Sequence, residues 1–248
     1  MSVYTEQYEK RVLATKNGLA KYEEKLKREQ ELFENEQEPK RKQLRASVVA
    51  RTQNSVDFYK SQLKIFRPPT QEDINYRENV RQNFSREVRS VLPKDCPVCF
   101  HGTRYGNIES ILKSGGLASS VDRLGYSTSY DVEDQVSVTV VNTLETTING
   151  YTGLNSYEEP AGCVFLVLPK DEAEYKSSRS SMIIGNVDFR KEPERLVGIL
   201  STPENVEQIK SWCEKYDIAC NPNNICTFGN FLERVKQKYN ANSSEKGE

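Results

Sequence analysis

His101 is the single histidine of the chain, and it stands in the run Phe100-His101-Gly102-Thr103 at the end of a short apolar stretch. An imidazole at a strand end can exchange a hydrogen bond or a proton with a bound group. The glycine beside it lets a ligand approach the backbone with no side chain in the way. A second reactive set is thiol: six cysteines stand at 96, 99, 163, 213, 220 and 226. Cys96-Pro-Val-Cys99 has the spacing of half a zinc site, but Cys213, Cys220 and Cys226 form no second short pair, so small buried thiols are expected instead. With one histidine available, a Cys-His hydrolase would have to join His101 to Cys163, Cys220 or Cys226.

These residues lie in a segment whose texture is mixed. Pro97–Phe100 reads as a strand, and Asn107–Ser114 as a helix closed by Gly115-Gly116. Leu124–Ser129 reads as a short strand. Asp131 is positioned to cap a helix with Val132, Val136, Val140, Leu144 and Ile148 recurring every fourth residue. A loop at 149–160 leads to buried strands at Cys163–Leu168, Met182–Ile184 and Leu196–Leu200, and helices at Glu204–Tyr216 and Phe228–Tyr239 close the pattern. Strands interleaved with helices, then strands in succession, predict an α+β fold.

The first 92 residues have a different texture. Tyr4, Tyr8, Val12, Leu19, Tyr22, Leu26 and Phe33 share one helical face, Pro39 breaks the pattern, and a second helix sets Leu44, Val48, Val56, Tyr59 and Leu63 inward. A third helix, from Glu72 to Val91, places Val80, Phe84, Val88 and Val91 on one side. The expected division is a helical region at 1–92, a catalytic domain at 95–240 and a polar tail at 241–248. Residues 1–90 carry 19 Lys/Arg against 14 Asp/Glu, so +5, and the remainder carries 16 against 22, so −6. Lys40, Arg41, Lys42, Arg45, Arg51, Lys60, Lys64 and Arg67 face only Asp57 as an acid along the second helix, which offers a contact surface for an acidic macromolecule. No aromatic-interleaved motif points to nucleic acid. No run approaches the ~18 apolar residues of a membrane span, and the N-terminus is charged, so a soluble protein is expected, exported if at all without an ordinary leader.

Taken in order, "FHGT", the helix ending "ILKSGGL", "GYSTS", "VFLVL" and the pair "MIIGNV" and "ERLVGIL" resemble the His-Tyr-Glu branch of the ADP-ribosyltransferase superfamily, over roughly residues 97–202. The resemblance implies a split β-sheet core and NAD as co-substrate. It implies that His101 hydrogen-bonds the ribose next to the nicotinamide, that the backbone of Gly102 and Thr103 meets the carboxamide, and that Tyr126 stacks on the ring. By the same resemblance Ser127 and Thr128 hold the ribose or shape the strand, Tyr130 forms a second wall, and Arg104 and Arg123 meet the pyrophosphate. The family's glutamate falls here at Ser180 or Ser181, so the sequence departs from the pattern. Glu174 and Glu172, in the preceding loop, are the replacements first in order, followed by Glu158, Glu159, Asp131 and Glu133.

The resemblance thus implies a mono-ADP-ribosyltransferase that modifies a protein side chain. Its helical extension is similar to that of bacterial effectors secreted into a host cytosol, among which enzymes that modify threonine of ubiquitin also depart from the usual triads. Three alternatives stand beside it: a catalytically degenerate NAD-binding or interaction protein, an RNA 2′-phosphotransferase, and the Cys-His hydrolase.

Overall fold

The computed structural model describes residues 3–65, 70–119, 136–156, 159–170, 176–177 and 182–244. Tyr126, Ser127, Thr128, Tyr130, Glu172, Glu174, Glu158, Arg123, Asp131, Glu133, Ser180, Ser181 and the expected strand at Leu124–Ser129 lie outside the described residues.

The chain divides into two units: Met1–Pro69 with Tyr157–Pro160, and Thr70–Ser156 with Ala161–Glu248. The first contains α1 (Val3–Glu34) and α2 (Pro39–Ile65). Pro39 opens the second helix, where its missing N–H is no loss. Tyr22 meets Tyr59 with ring centroids 5.5 Å apart, which sets the two helices side by side. Leu44, expected on the inner face, is 64% exposed, while Val56 is buried and Val48, expected there with it, is half-buried beside Val49. The basic face of α2 also has more acidic partners than Asp57. Arg41 pairs with Glu38 at 2.8 Å, Arg45 with Glu36 at 3.2 Å and Lys60 with Glu23 at 3.0 Å, because the turn and α1 bring acids across to it.

The second unit begins with α3 (Gln71–Asn79), a π-helical turn (Val80–Phe84) and α4 (Ser85–Val91), which follow one another without a break. Thr70 caps the start: its hydroxyl accepts from the Asp73 N–H, while the Asp73 carboxylate accepts from the Thr70 N–H, so two orphan helix donors are satisfied. The division therefore falls after residue 69 rather than after residue 92. Val80, Phe84 and Val88 are buried with Phe100, Leu144, Val164, Leu200 and Phe228 in one core, and a helix that fills the core belongs to the unit it fills.

A four-stranded sheet runs in the order β1-β4-β8-β9, formed by β1 (Cys99–Thr103), β4 (Cys163–Val167), β8 (Leu196–Ser201) and β9 (Ile225–Thr227). Its first three strands are antiparallel, and β8 and β9 are parallel. Phe100, Val164, Leu166 and Leu200 face the core above. On the opposite side Phe165 stacks on Phe189, with centroids 5.8 Å apart. A two-stranded sheet pairs β2 (Gly116–Leu117) with β7 (Val187–Asp188), and a third, in the order β3-β6-β5, joins β3 (Val136–Val138), β6 (Met182–Ile184) and β5 (Lys176–Ser177). The fold is α+β.

Between the strands run α5 (Tyr105–Ser114), α6 (Leu144–Gly150) and α7 (Pro203–Lys215), and α8 (Phe228–Ser244) follows the last strand. Gly115, at φ +88°, takes the left-handed conformation that ends α5, as its position after the helix predicts. The helix expected through Val132, Val136, Val140, Leu144 and Ile148 is a strand at Val136–Val138 and begins only at Leu144. The run Val-Ser-Val-Thr-Val alternates, and its β-branched residues fit a pleated surface, with Val136 and Val138 buried and Ser137 exposed. At the other end, α8 continues to Ser244, so the expected tail at 241–248 starts inside a helix.

Candidate functional site

β1 lies between two strands from different sheets. Along its length it pairs with β4, His101 opposite Phe165 and Gly102 opposite Val164. On its other side it meets the end of β3 through one bridge, Phe100 with Thr139, whose N–H groups donate reciprocally to the opposing carbonyls at 2.8 and 2.9 Å. His101 follows directly after that bridge. Its Nδ1 lies 2.9 Å from the Ser137 carbonyl oxygen, and a carbonyl only accepts, so Nδ1 carries the proton. In the neutral ring Nε2 is then the acceptor, and the ring orientation is held from a strand 36 positions away.

A concavity of about 60 Å³ opens beside this histidine, lined by His101, Gly102, Ser137, Val138, Thr139, Thr147 and Tyr151. Its back is built by α6. The Thr139 and Thr147 hydroxyls, both buried, are 2.6 Å apart and share a hydrogen bond, which fixes α6 against the β1–β3 junction. Tyr151, 50% exposed, stands at the mouth. Pockets that enclose a drug-sized ligand occupy roughly 300–1,000 Å³. This concavity is several times smaller, so most of any ligand of that size lies outside it.

Gly102 has a packing reason to be glycine. A Cβ there would stand 2.7 Å from Thr147 Cγ2 and 3.0 Å from Tyr151 Cβ, so the open approach expected of this residue is taken up by α6 on that side. Thr103, expected at the ligand, is buried at the end of β1 and is not part of the lining. Arg104 is exposed at the start of α5 and is likewise outside the lining. Of the expected site residues, His101 and Gly102 are thus brought together, joined by Ser137, Thr139, Thr147 and Tyr151. Nothing in the spacing of those four singles them out, since they reach the site through a strand bridge and a helix packing that are long-range in sequence.

No protein-family model, curated protein or solved structure matches this chain.

The electrostatics of the lining are sparse. Among the described residues it contains no carboxylate and, apart from His101, no titratable side chain other than Tyr151. Glu159, the one expected replacement acid among the described residues, is half-buried. Four of the thiols, Cys163, Cys213, Cys220 and Cys226, are raised by burial. Cys163 is fully buried, and burial pushes its thiol well up from the ordinary range. Burial likewise pushes Cys213 to about 12 and Cys220 to about 11, so these remain protonated at neutral pH. Cys163 lies opposite Thr103, two places from His101 along β1, but a thiol without solvent access and without thiolate character is a structural residue. Among the described residues no group of three or more His, Cys, Asp or Glu can hold a metal ion, and no helix is long and apolar enough to cross a membrane.

Proposed function

We propose that the protein is a mono-ADP-ribosyltransferase that holds the nicotinamide end of NAD at the His101 concavity and transfers ADP-ribose to a side chain of a protein. The observation that carries this reading is the anchoring of His101 Nδ1 on the Ser137 carbonyl at 2.9 Å, which fixes the orientation of the ring at the edge of the concavity. The concavity beside it is sized for the planar carboxamide head rather than for a whole dinucleotide. β1 and β3 meet at the single Phe100–Thr139 bridge and otherwise belong to separate sheets, an arrangement in keeping with a split-sheet core.

In this reaction the bond from the ribose C1′ to the nicotinamide nitrogen breaks, and its electron pair leaves with nicotinamide. The acceptor's nucleophile, a hydroxyl where the acceptor is threonine, forms the new bond to C1′ and gives up its proton to a base. His101 orients the ribose and Tyr126 stacks on the leaving ring. Glu174 or Glu172 stabilises the positive charge that develops at C1′ and takes the proton, a contribution of ~10²–10⁴-fold for a well-placed general base. Ubiquitin, through threonine, is the first acceptor to test, in keeping with a secreted effector acting in a host cytosol.

A second reading, an NAD-binding module without transfer chemistry, is favoured by the sequence itself, which has Ser180 or Ser181 where the resembled family has its glutamate. One experiment separates the two. The protein is incubated with biotin-labelled NAD, first with ubiquitin and then with a eukaryotic lysate, beside a His101→Ala control, while nicotinamide release is measured. A labelled band and nicotinamide release that both vanish in the variant support the transferase. NAD binding in calorimetry without release supports the binding module, and no binding at all sinks both readings.

A further inference from the structure

A second cavity, of about 270 Å³, opens between the sheet and the C-terminal helix, and it shares no residue with the His101 concavity. Its floor is built at an irregularity. Between β4 and β8 the register shifts after Leu166: Leu166 faces Gly198, Val167 faces Leu196, and Val197 is left over as the extra residue of a β-bulge. The carbonyl of Val197 is satisfied from outside the ladder, by the Asn224 side-chain amide at 2.9 Å. Gly198 is needed beside it, because a Cβ there would stand 2.7 Å from the Asn224 carbonyl oxygen. The floor thus presents Leu166, Val197, Gly198 and Cys226, with Asn224 holding the bulge in place.

The opposite wall is α8. Phe231 and Val235 stand four residues apart on its inner face, and Arg234 and Lys238 stand four apart beside them, so one helix supplies an apolar stripe and a cationic stripe to the same cavity. Arg234 donates to the Asn223 carbonyl, which holds the guanidinium at this edge. It also works against the burial that raises the Cys226 thiol in the floor, as a cation close to that thiol must. Among the described residues the lining contains no acidic side chain. Two cations with no carboxylate among the described lining residues, bordering an apolar floor in a cavity just under the roughly 300 Å³ at which ligand pockets usually begin, select a ligand of matching polarity.

We propose that this cleft binds a free medium-chain carboxylate, its chain over Leu166, Val197 and Phe231 and its carboxylate between Arg234 and Lys238. The chain contributes by leaving water, and the carboxylate decides which amphiphile is taken. A neutral or cationic molecule of the same length forgoes the second part, and the cationic one meets repulsion.

The test uses the full-length chain with decanoate as ligand, decanol and decyltrimethylammonium as controls, and methyl NMR for location. Decanoate should bind below its micellar range and move the methyl signals of Leu166, Val197 and Val235, while decyltrimethylammonium should not. The double variant Arg234→Glu/Lys238→Glu, at exposed positions that leave the core intact, should bind decanoate at least about tenfold more weakly, equivalent to about 1.4 kcal/mol. Val197→Trp should fill the floor and remove binding, with the thermal midpoint of each variant confirming that it is folded. Equal binding of decanol, unchanged affinity in the double variant, methyl shifts spread elsewhere, or binding only at micellar concentrations would each overturn the proposal. So would an apolar acidic peptide that displaces decanoate at a hundredth of its concentration.

Discussion

Gly102 and Thr147 meet across the β1–α6 contact at a distance that admits no extra atom, since a Cβ on Gly102 would lie 2.7 Å from Thr147 Cγ2. Gly102→Ala is expected to lower stability by about 1–3 kcal/mol, the usual result of overpacking a filled contact, and thermal or urea unfolding measures it. Thr147→Ser, which keeps the hydroxyl shared with Thr139 and removes the crowding methyl, should restore part of that loss in the double variant. If the loss is unchanged, the strain lies at Tyr151 instead. His101→Ala should reduce nicotinamide release by about 10²-fold or more with little change in unfolding, because the ring is only partly buried. At this scale the sequence was informative about residue type and silent about neighbours. His101 and Gly102 are legible because a lone histidine followed by glycine after an apolar run is chemically distinctive. Ser137, Thr139 and Thr147 are not, since a serine or threonine acquires its role only from what it is packed against.

Two contacts between elements carry their own consequences. Arg77 on α3 and Glu204 on α7 form an ion pair at 3.0 Å with side chains 4% and 7% exposed, and Arg77 also donates to the Ser156 carbonyl at 3.1 Å. Removing the carboxylate takes the counter-charge from a buried guanidinium that keeps its other hydrogen bonds, so Glu204→Gln should destabilise the fold by up to about 3 kcal/mol, measured by urea unfolding. Replacing both by apolar residues of similar volume should cost less. On α5, Glu109 accepts from the Tyr216 hydroxyl at 2.6 Å and from Lys215 at 3.1 Å, and the Tyr216 hydrogen bond holds its carboxyl below the usual range. A carboxyl lowered in the folded state stabilises it fully above the unfolded value of about 4.3 and loses that contribution as pH falls through the folded value. Glu109→Gln should therefore lower stability most at neutral pH and hardly at all below the folded value, so that the fall on the acid side of the stability profile, below about pH 4.3, becomes shallower. Element types were largely legible where one periodicity was available. The alternation at 136–140 was not, because valines spaced two apart are also spaced four apart, and the competition between strand and helix was decided by pairing with β6.

The division of the molecule follows from where the core lies. Val80, Phe84 and Val88 sit among the strands' own apolar residues, so a fragment of residues 70–248 should unfold cooperatively on its own, whereas one of 93–248, cut where composition changes, should not. Circular dichroism and urea titration of the two fragments distinguish these outcomes, and two equally stable fragments would place α3 and α4 outside the core. The sequence by itself determined the local elements: the five-residue buried strand at Cys163–Val167, the α5 helix with its glycine stop, the amphipathic α7, and the α+β class. Propensity, period and capping act over a few residues and leave their mark in order along the chain. Tertiary structure alone decided the bridge of β1 to β3, the ring orientation of His101, the bulge at Val197 and the assignment of α3 and α4 to the second unit. Each of these joins residues tens of positions apart, and such contacts are selected by the fit of whole surfaces, which no local pattern records.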